Sequence, residues 1–185
     1  MKIARILILL VLILGTFLRF YHIDKQSLWY DEGNSAQMTE RSASEIVTAA
    51  AGDIHPPGYY LALDTWSTLL GQSEWSLRAL SAMAGIIMIS MIYHIGHRCF
   101  SAKVGLVAAL ITSVHPALVY YSQEARMYML AATLGTAVFA LTFHLFAIHG
   151  GRSGQSGDHN QKTTGSLHAK LYVRSIRNHT LKAGY

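Results

Sequence analysis

Gly58-Tyr59-Tyr60-Leu61-Ala62-Leu63-Asp64-Thr65-Trp66-Ser67-Thr68-Leu69-Leu70-Gly71 is the stretch on which the fold turns. It is apolar enough to pass for a membrane span, yet its fourteen residues make roughly 21 Å of helix against a hydrocarbon core of about 30 Å, and Asp64 stands in its middle. Tyr59, Leu63, Trp66 and Leu70 recur at helical spacing, while Asp64, Thr65, Ser67 and Thr68 share the other side. This is the pattern of an amphipathic helix lying on a membrane surface. Pro56 and Pro57 suit its start, because proline is tolerated in a first turn.

The consequence is topological. If 58–71 spanned, the polar stretch around Asp31 and the Gln123-Glu124-Ala125-Arg126 turn would face opposite sides of the membrane; lying flat, it leaves them on one side. That side then holds nine of the ten acids, and the other holds Lys2, Arg5, Arg98, Lys103, Arg152 and the basic tail. The positive-inside rule puts the amino terminus in the cytoplasm and Asp31 outside. The expectation is a multi-pass protein of the inner (cell) membrane.

Composition agrees with a membrane class: 51% of residues are hydrophobic and 14% charged, against about a quarter charged in soluble domains. Four runs are long enough to span, about 3–21, 79–97, 104–122 and 127–149. The first ends in Phe17-Leu18-Arg19-Phe20-Tyr21 without a small-residue cleavage site, and reads as an uncleaved span rather than a signal peptide. Tyr120, Tyr121 and Tyr128 stand at run ends, as interfacial aromatics do. The predicted fold is all-α and polytopic: four transmembrane helices, plus an extracytoplasmic loop over about 24–76 with interfacial helices. From 150 to 185 the composition turns polar and basic, as in a disordered tail or a segment foreign to the membrane design. The single Cys99 excludes a disulfide within this sequence and a thiolate cluster, and the absence of a basic stripe with interleaved aromatics argues against nucleic acid.

The chemistry-bearing residues are few. Asp31 and Glu32 follow Trp29 and Tyr30; a carboxylate among aromatics at a membrane surface suits a general base, and the same two acids suit the first turn of a helix running toward Glu40. His55, held extended by the prolines after it, is a proton carrier, a ligand to metal or phosphate, or a structural residue. Arg126 has the planar fork that clamps phosphate, and Glu124 is placed to orient it or to hold a divalent cation; an interfacial ion pair is the plainer reading of both.

Four motifs in order resemble the multi-spanning GT-C glycosyltransferases: Trp29-Tyr30-Asp31-Glu32, His55-Pro56-Pro57-Gly58-Tyr59-Tyr60-Leu61, Ser76-Leu77-Arg78-Ala79-Leu80-Ser81 and Tyr121-Ser122-Gln123-Glu124-Ala125-Arg126-Met127-Tyr128. The branch they resemble holds the bacterial relatives of dolichyl-phosphate-mannose protein mannosyltransferases and of the lipid A aminoarabinose transferase. The resemblance covers about residues 1–149. It implies transfer of a sugar from a polyprenyl-phosphate-linked donor to a lipid, glycan or protein acceptor at the extracytoplasmic face, with inversion. It makes Asp31 the base, Arg126 the group that stabilises the leaving phosphate, Glu124 an organiser of the site or of a cation, and Glu32 and His55 its lining. Members of the family are far longer, so the chain is expected to be an amino-terminal piece, inactive alone. Two other classes fit the apolar pattern: a non-catalytic fragment or accessory subunit, and a piece of a transporter. Transporters place ionisable residues at the bilayer midplane, whereas these acids cluster at one surface.

Overall fold

The computed structural model describes residues 2–52 and 55–146, and every regular element among them is an α-helix. They are α1 (Lys2–Phe20), α2 (Tyr30–Met38), α3 (Ala43–Ala51), α4 (Gly58–Leu70), α5 (Glu74–Cys99), α6 (Ala102–Val114), α7 (Pro116–Ser122) and α8 (Met127–Phe146). Met1–Ala140 form one compact unit; of a second, Leu141–Tyr185, residues 141–146 at the end of α8 are described. The expected tail at 150–185 and the last residues of the fourth expected span lie outside the described residues.

Three helices, α1, α5 and α8, are long and apolar enough to cross a membrane, and α6 with α7 makes a fourth if the bent pair counts as one span. Their surfaces run opposite to those of a soluble bundle. On α1, Ile3, Ile6, Leu10, Ile13 and Phe17 are exposed, while Gly15 and Arg19 are buried. On α5 the buried side is mostly small: Ser76, Ala79, Ser81, Ala82, Ala84 and Gly85. Lipid offers no hydrophobic drive between helices, so they associate through close approach of small residues. Gly96 and Gly105 show this where α5 meets α6: a Cβ on Gly96 would stand 2.8 Å from Gly105 Cα, and one on Gly105 2.7 Å from the Tyr93 carbonyl oxygen.

The 104–122 run is not one straight helix. Pro116 has no N–H and crowds the preceding turn, and His115 is extended (ψ 122°), so α6 and α7 meet at 59°.

Outside these helices the segment from α2 to α4 folds over the start of α5. Ser42 opens α3, with its backbone N–H donating to Glu45 at 2.8 Å. Gly71, at φ 87°, ends α4 in a left-handed turn that suits glycine. Ile46 and Ala50 of α3, Tyr59, Tyr60 and Leu63 of α4, Leu77 of α5 and Ala125 form one buried cluster. The Trp66 indole N–H donates to the Ser76 carbonyl at 2.9 Å, tying α4 to α5. That cluster is the base on which the site stands.

Candidate functional site

Two pieces of chain meet above α5: the first turn of α2 and the 123–126 turn between α7 and α8. Their junction is Glu32, fully buried. Its Oε1 accepts from Arg78 Nε at 2.8 Å and from the Ala125 backbone N–H at 2.8 Å; its Oε2 accepts from Arg78 Nη2 at 2.6 Å and from the Trp29 N–H at 3.4 Å. Arg78 spends its remaining donors on backbone carbonyls, Nη1 to Ile23 at 2.8 Å and Gln26 at 2.7 Å, Nη2 to Ser27 at 3.3 Å. Buried charges survive only when paired with good geometry and further hydrogen bonds, and this fork-on-fork pair has both. Burial alone would raise the Glu32 carboxyl; the Arg78 guanidinium and the Ala125 N–H outweigh it and hold it below the usual range.

Asp31 stands one residue earlier on the open side of this junction, its side chain 35% exposed. Its Oδ2 lies 3.4 Å from Arg126 Nη2, and Arg126 Nη1 donates to the Asp31 carbonyl at 3.2 Å. Arg126 is otherwise enclosed: its guanidinium carbon sits 5.7 Å from the centre of the Tyr128 ring, and its Nε is buried with no hydrogen-bond partner among the described residues. Burial works against its charge, but the Tyr128 phenol and Asp31 more than offset that, so it stays firmly protonated. Tyr59 is buried from α4, and burial pushes its phenol well above the ordinary range, so it remains a neutral hydroxyl at any physiological pH.

Glu124, 6% exposed, lines a cavity of about 330 Å³ whose wall includes His22, Trp29, Glu32, Arg78 and Tyr120. The volume is at the lower end of those that hold small molecules. Asp31 and Arg126 border one side of the junction, and Glu32 and Glu124, their near neighbours in sequence, border the cavity. His55 is half-buried in the chain entering α4. Among the described residues no three His, Cys, Asp or Glu side chains come together as a cation site.

A sequence model of the dolichyl-phosphate-mannose-protein mannosyltransferases matches residues 54–153, more than half of the chain. The chain belongs to that family. The matched segment contains His55, Arg78, Glu124 and Arg126, while Asp31 and Glu32 precede it and are joined to it by the contacts above. Membership makes the chain mannosyltransferase-like, of a family whose model is that of glycosyl-transferring enzymes, and its long apolar helices suit a membrane. No curated protein and no solved structure shows a significant match.

Sequence reasoning quoted Arg78 within a motif and gave it no role. The signal was there: an arginine a turn inside an apolar helix needs its donors taken up by a carboxylate or by several carbonyls. Which carboxylate, 46 residues away, only the fold shows.

Proposed function

We infer that this mannosyltransferase-family chain carries the site at which a sugar passes from a polyprenyl-phosphate-linked donor to an acceptor hydroxyl at the extracytoplasmic face of the cell membrane, its amino terminus in the cytoplasm. The observation that carries the reading is the accessible Asp31 carboxylate 3.4 Å from an enclosed arginine whose Nε has no partner among the described residues. An inverting displacement needs a base on one face of the anomeric carbon and a phosphate clamp on the opposite face, and Asp31 and Arg126 supply one group of each kind. Asp31 takes the proton of the acceptor hydroxyl as its oxygen bonds to the anomeric carbon. The bond from that carbon to the phosphate oxygen breaks with inversion, and the charge gathering on the phosphate falls to Arg126.

Glu124 and Glu32 line the neighbouring cavity, where Glu124 accepts from sugar or acceptor hydroxyls; His55, half-buried in the chain entering α4, is not part of that lining, and its place in the site rests on the family motif alone. Direct contact between the Asp31 turn and the 123–126 turn supports a single membrane face for both, with α4 flat upon it. At thirteen residues α4 reaches roughly 20 Å, short of a span.

The test is transfer by membranes containing this chain, offered a panel of polyprenyl-phosphate sugars and an alcohol acceptor, with the product anomer read by NMR. Transfer with inverted configuration supports the reading. Retained configuration, or no transfer from any polyprenyl-phosphate donor to any acceptor, overturns it and favours a non-catalytic membrane component.

A further inference from the structure

Arg19 is an arginine in the last turn of a membrane helix, fully buried, and no carboxylate among the described residues pairs with it. Its side chain turns back along α1. Nη1 donates to the Gly15 carbonyl at 3.2 Å and to the Ser113 carbonyl at 3.1 Å, and Nη2 to the Thr112 carbonyl at 3.3 Å.

These last two acceptors are the ones the α6–α7 break leaves over. In a continuous helix Thr112 would accept from the N–H of residue 116, but residue 116 is proline. Ser113 would accept from residue 117, which the extended His115 swings away. An orphaned carbonyl in a bilayer is costly, and broken spans occur where something else satisfies them. Arg19 supplies both donors, and its charge sits at the carboxyl end of α6, the negative end of the helix dipole.

The packing leaves room for this group and little else. A Cβ on Gly15 would meet Ile89 Cδ1 at 2.5 Å, and one on Gly85 would meet Arg19 Nε at 2.6 Å. From the other side Gln123 Nε2 donates to the Leu18 carbonyl at 2.9 Å and the Tyr21 carbonyl at 3.1 Å. The last turn of α1 therefore holds the end of α6 and the far end of α7, on either side of the break, and α7 runs straight into Glu124, Ala125 and Arg126.

We propose that Arg19 is a positioning residue that closes the α6–α7 break, fixes the direction of α7 and so holds Arg126 against Asp31. The functional half of this statement rests on the phosphate-binding reading of Arg126; the structural half does not.

The experiment uses the full chain in nanodiscs, with Cys99→Ser and spin labels at Gly33→Cys on α2 and Ala117→Cys on α7. The parent gives one narrow distance. Arg19→Met, which keeps length and loses every donor, gives a distribution at least twice as broad or a second distance, and Arg19→Lys restores most of the narrow one. In parallel, farnesyl phosphate binding weakens about tenfold in Arg19→Met and recovers in Arg19→Lys, an effect of the size seen when groups orienting a ligand contact are removed.

A folded Arg19→Met chain with an unchanged distance distribution overturns the proposal. Should Arg19→Met not fold, Pro116→Ala is added, which returns an N–H to Thr112: a folded double variant supports the clamp, and an unfolded one overturns it. If the parent does not bind farnesyl phosphate, the phosphate-binding reading fails, and the distances still decide the role of Arg19.

Discussion

Replacing Arg78 by methionine removes one half of the Glu32–Arg78 pair and leaves a fully buried carboxylate with only the Ala125 and Trp29 N–H groups. It also strips the carbonyls of Ile23, Gln26 and Ser27 of their donor. Breaking a buried pair from one side costs about 3–5 kcal/mol, because the surviving charge is uncompensated. On the scale of chains of this size, where 1 kcal/mol moves the midpoint by roughly 2–4 °C, the apparent unfolding temperature falls by roughly 6–20 °C. Glu32→Gln is milder, since an amide oxygen still accepts from Arg78 and Ala125, although the arginine then lacks its countercharge. The double variant Glu32→Gln/Arg78→Met costs less than the sum of the two single changes, by about 1–3 kcal/mol of coupling. Thermal unfolding of all four forms in one detergent, followed by tryptophan fluorescence, is the assay. An Arg78→Met midpoint within 2 °C of the parent, or strictly additive shifts, would refute the claim that this pair joins the two halves of the site.

The same pair sets an acid limb. Glu32 is held below the usual carboxyl range, so its contribution is fully present above the unfolded value near 4.3 and is lost as pH falls through its lower folded value. The unfolding midpoint therefore changes little from pH 7 to about 5 on this account and drops below about 4, and Glu32→Gln flattens that drop. At the α5–α6 contact, Gly105→Leu destabilises by about 1–3 kcal/mol, because even a Cβ there would meet backbone at 2.7 Å, whereas Gly33→Ala, inside α2 with open space around it, raises stability slightly, by about 0.4–1 kcal/mol. Arg126→Ala lowers transfer by about 10²–10³-fold, the usual effect of losing one fixed group that stabilises transition-state charge; Arg126→Lys recovers part of it in a transfer assay.

What the sequence disclosed and what it withheld divide along physical lines. The apolar runs were legible because a bilayer demands length and hydrophobicity that few other folds need, and the family followed from ordered motifs around Asp31, His55, Arg78 and Arg126. A span counted from the first charge-free residue begins at Ala79, whereas α5 begins at Glu74, capped by Ser73, and carries Arg78 inside it. Counting charges hides that start, because it treats a paired arginine like a solvated one.

The break at His115–Pro116 was written in the proline, but its consequence depends on Arg19, 93 residues away from Thr112. Glu32 and Asp31 are adjacent and chemically alike, and nothing local says which is locked and which is open. That assignment comes from which side of α2 faces Arg78.

The central claim is that Asp31 is the base and Arg126 the phosphate clamp, and it is tested most directly by donor binding and transfer measured together in Asp31→Asn. Binding of the polyprenyl-phosphate sugar within a few-fold of the parent, with transfer reduced by about 10²–10⁴-fold, is the predicted result. Transfer at the parental rate would contradict it.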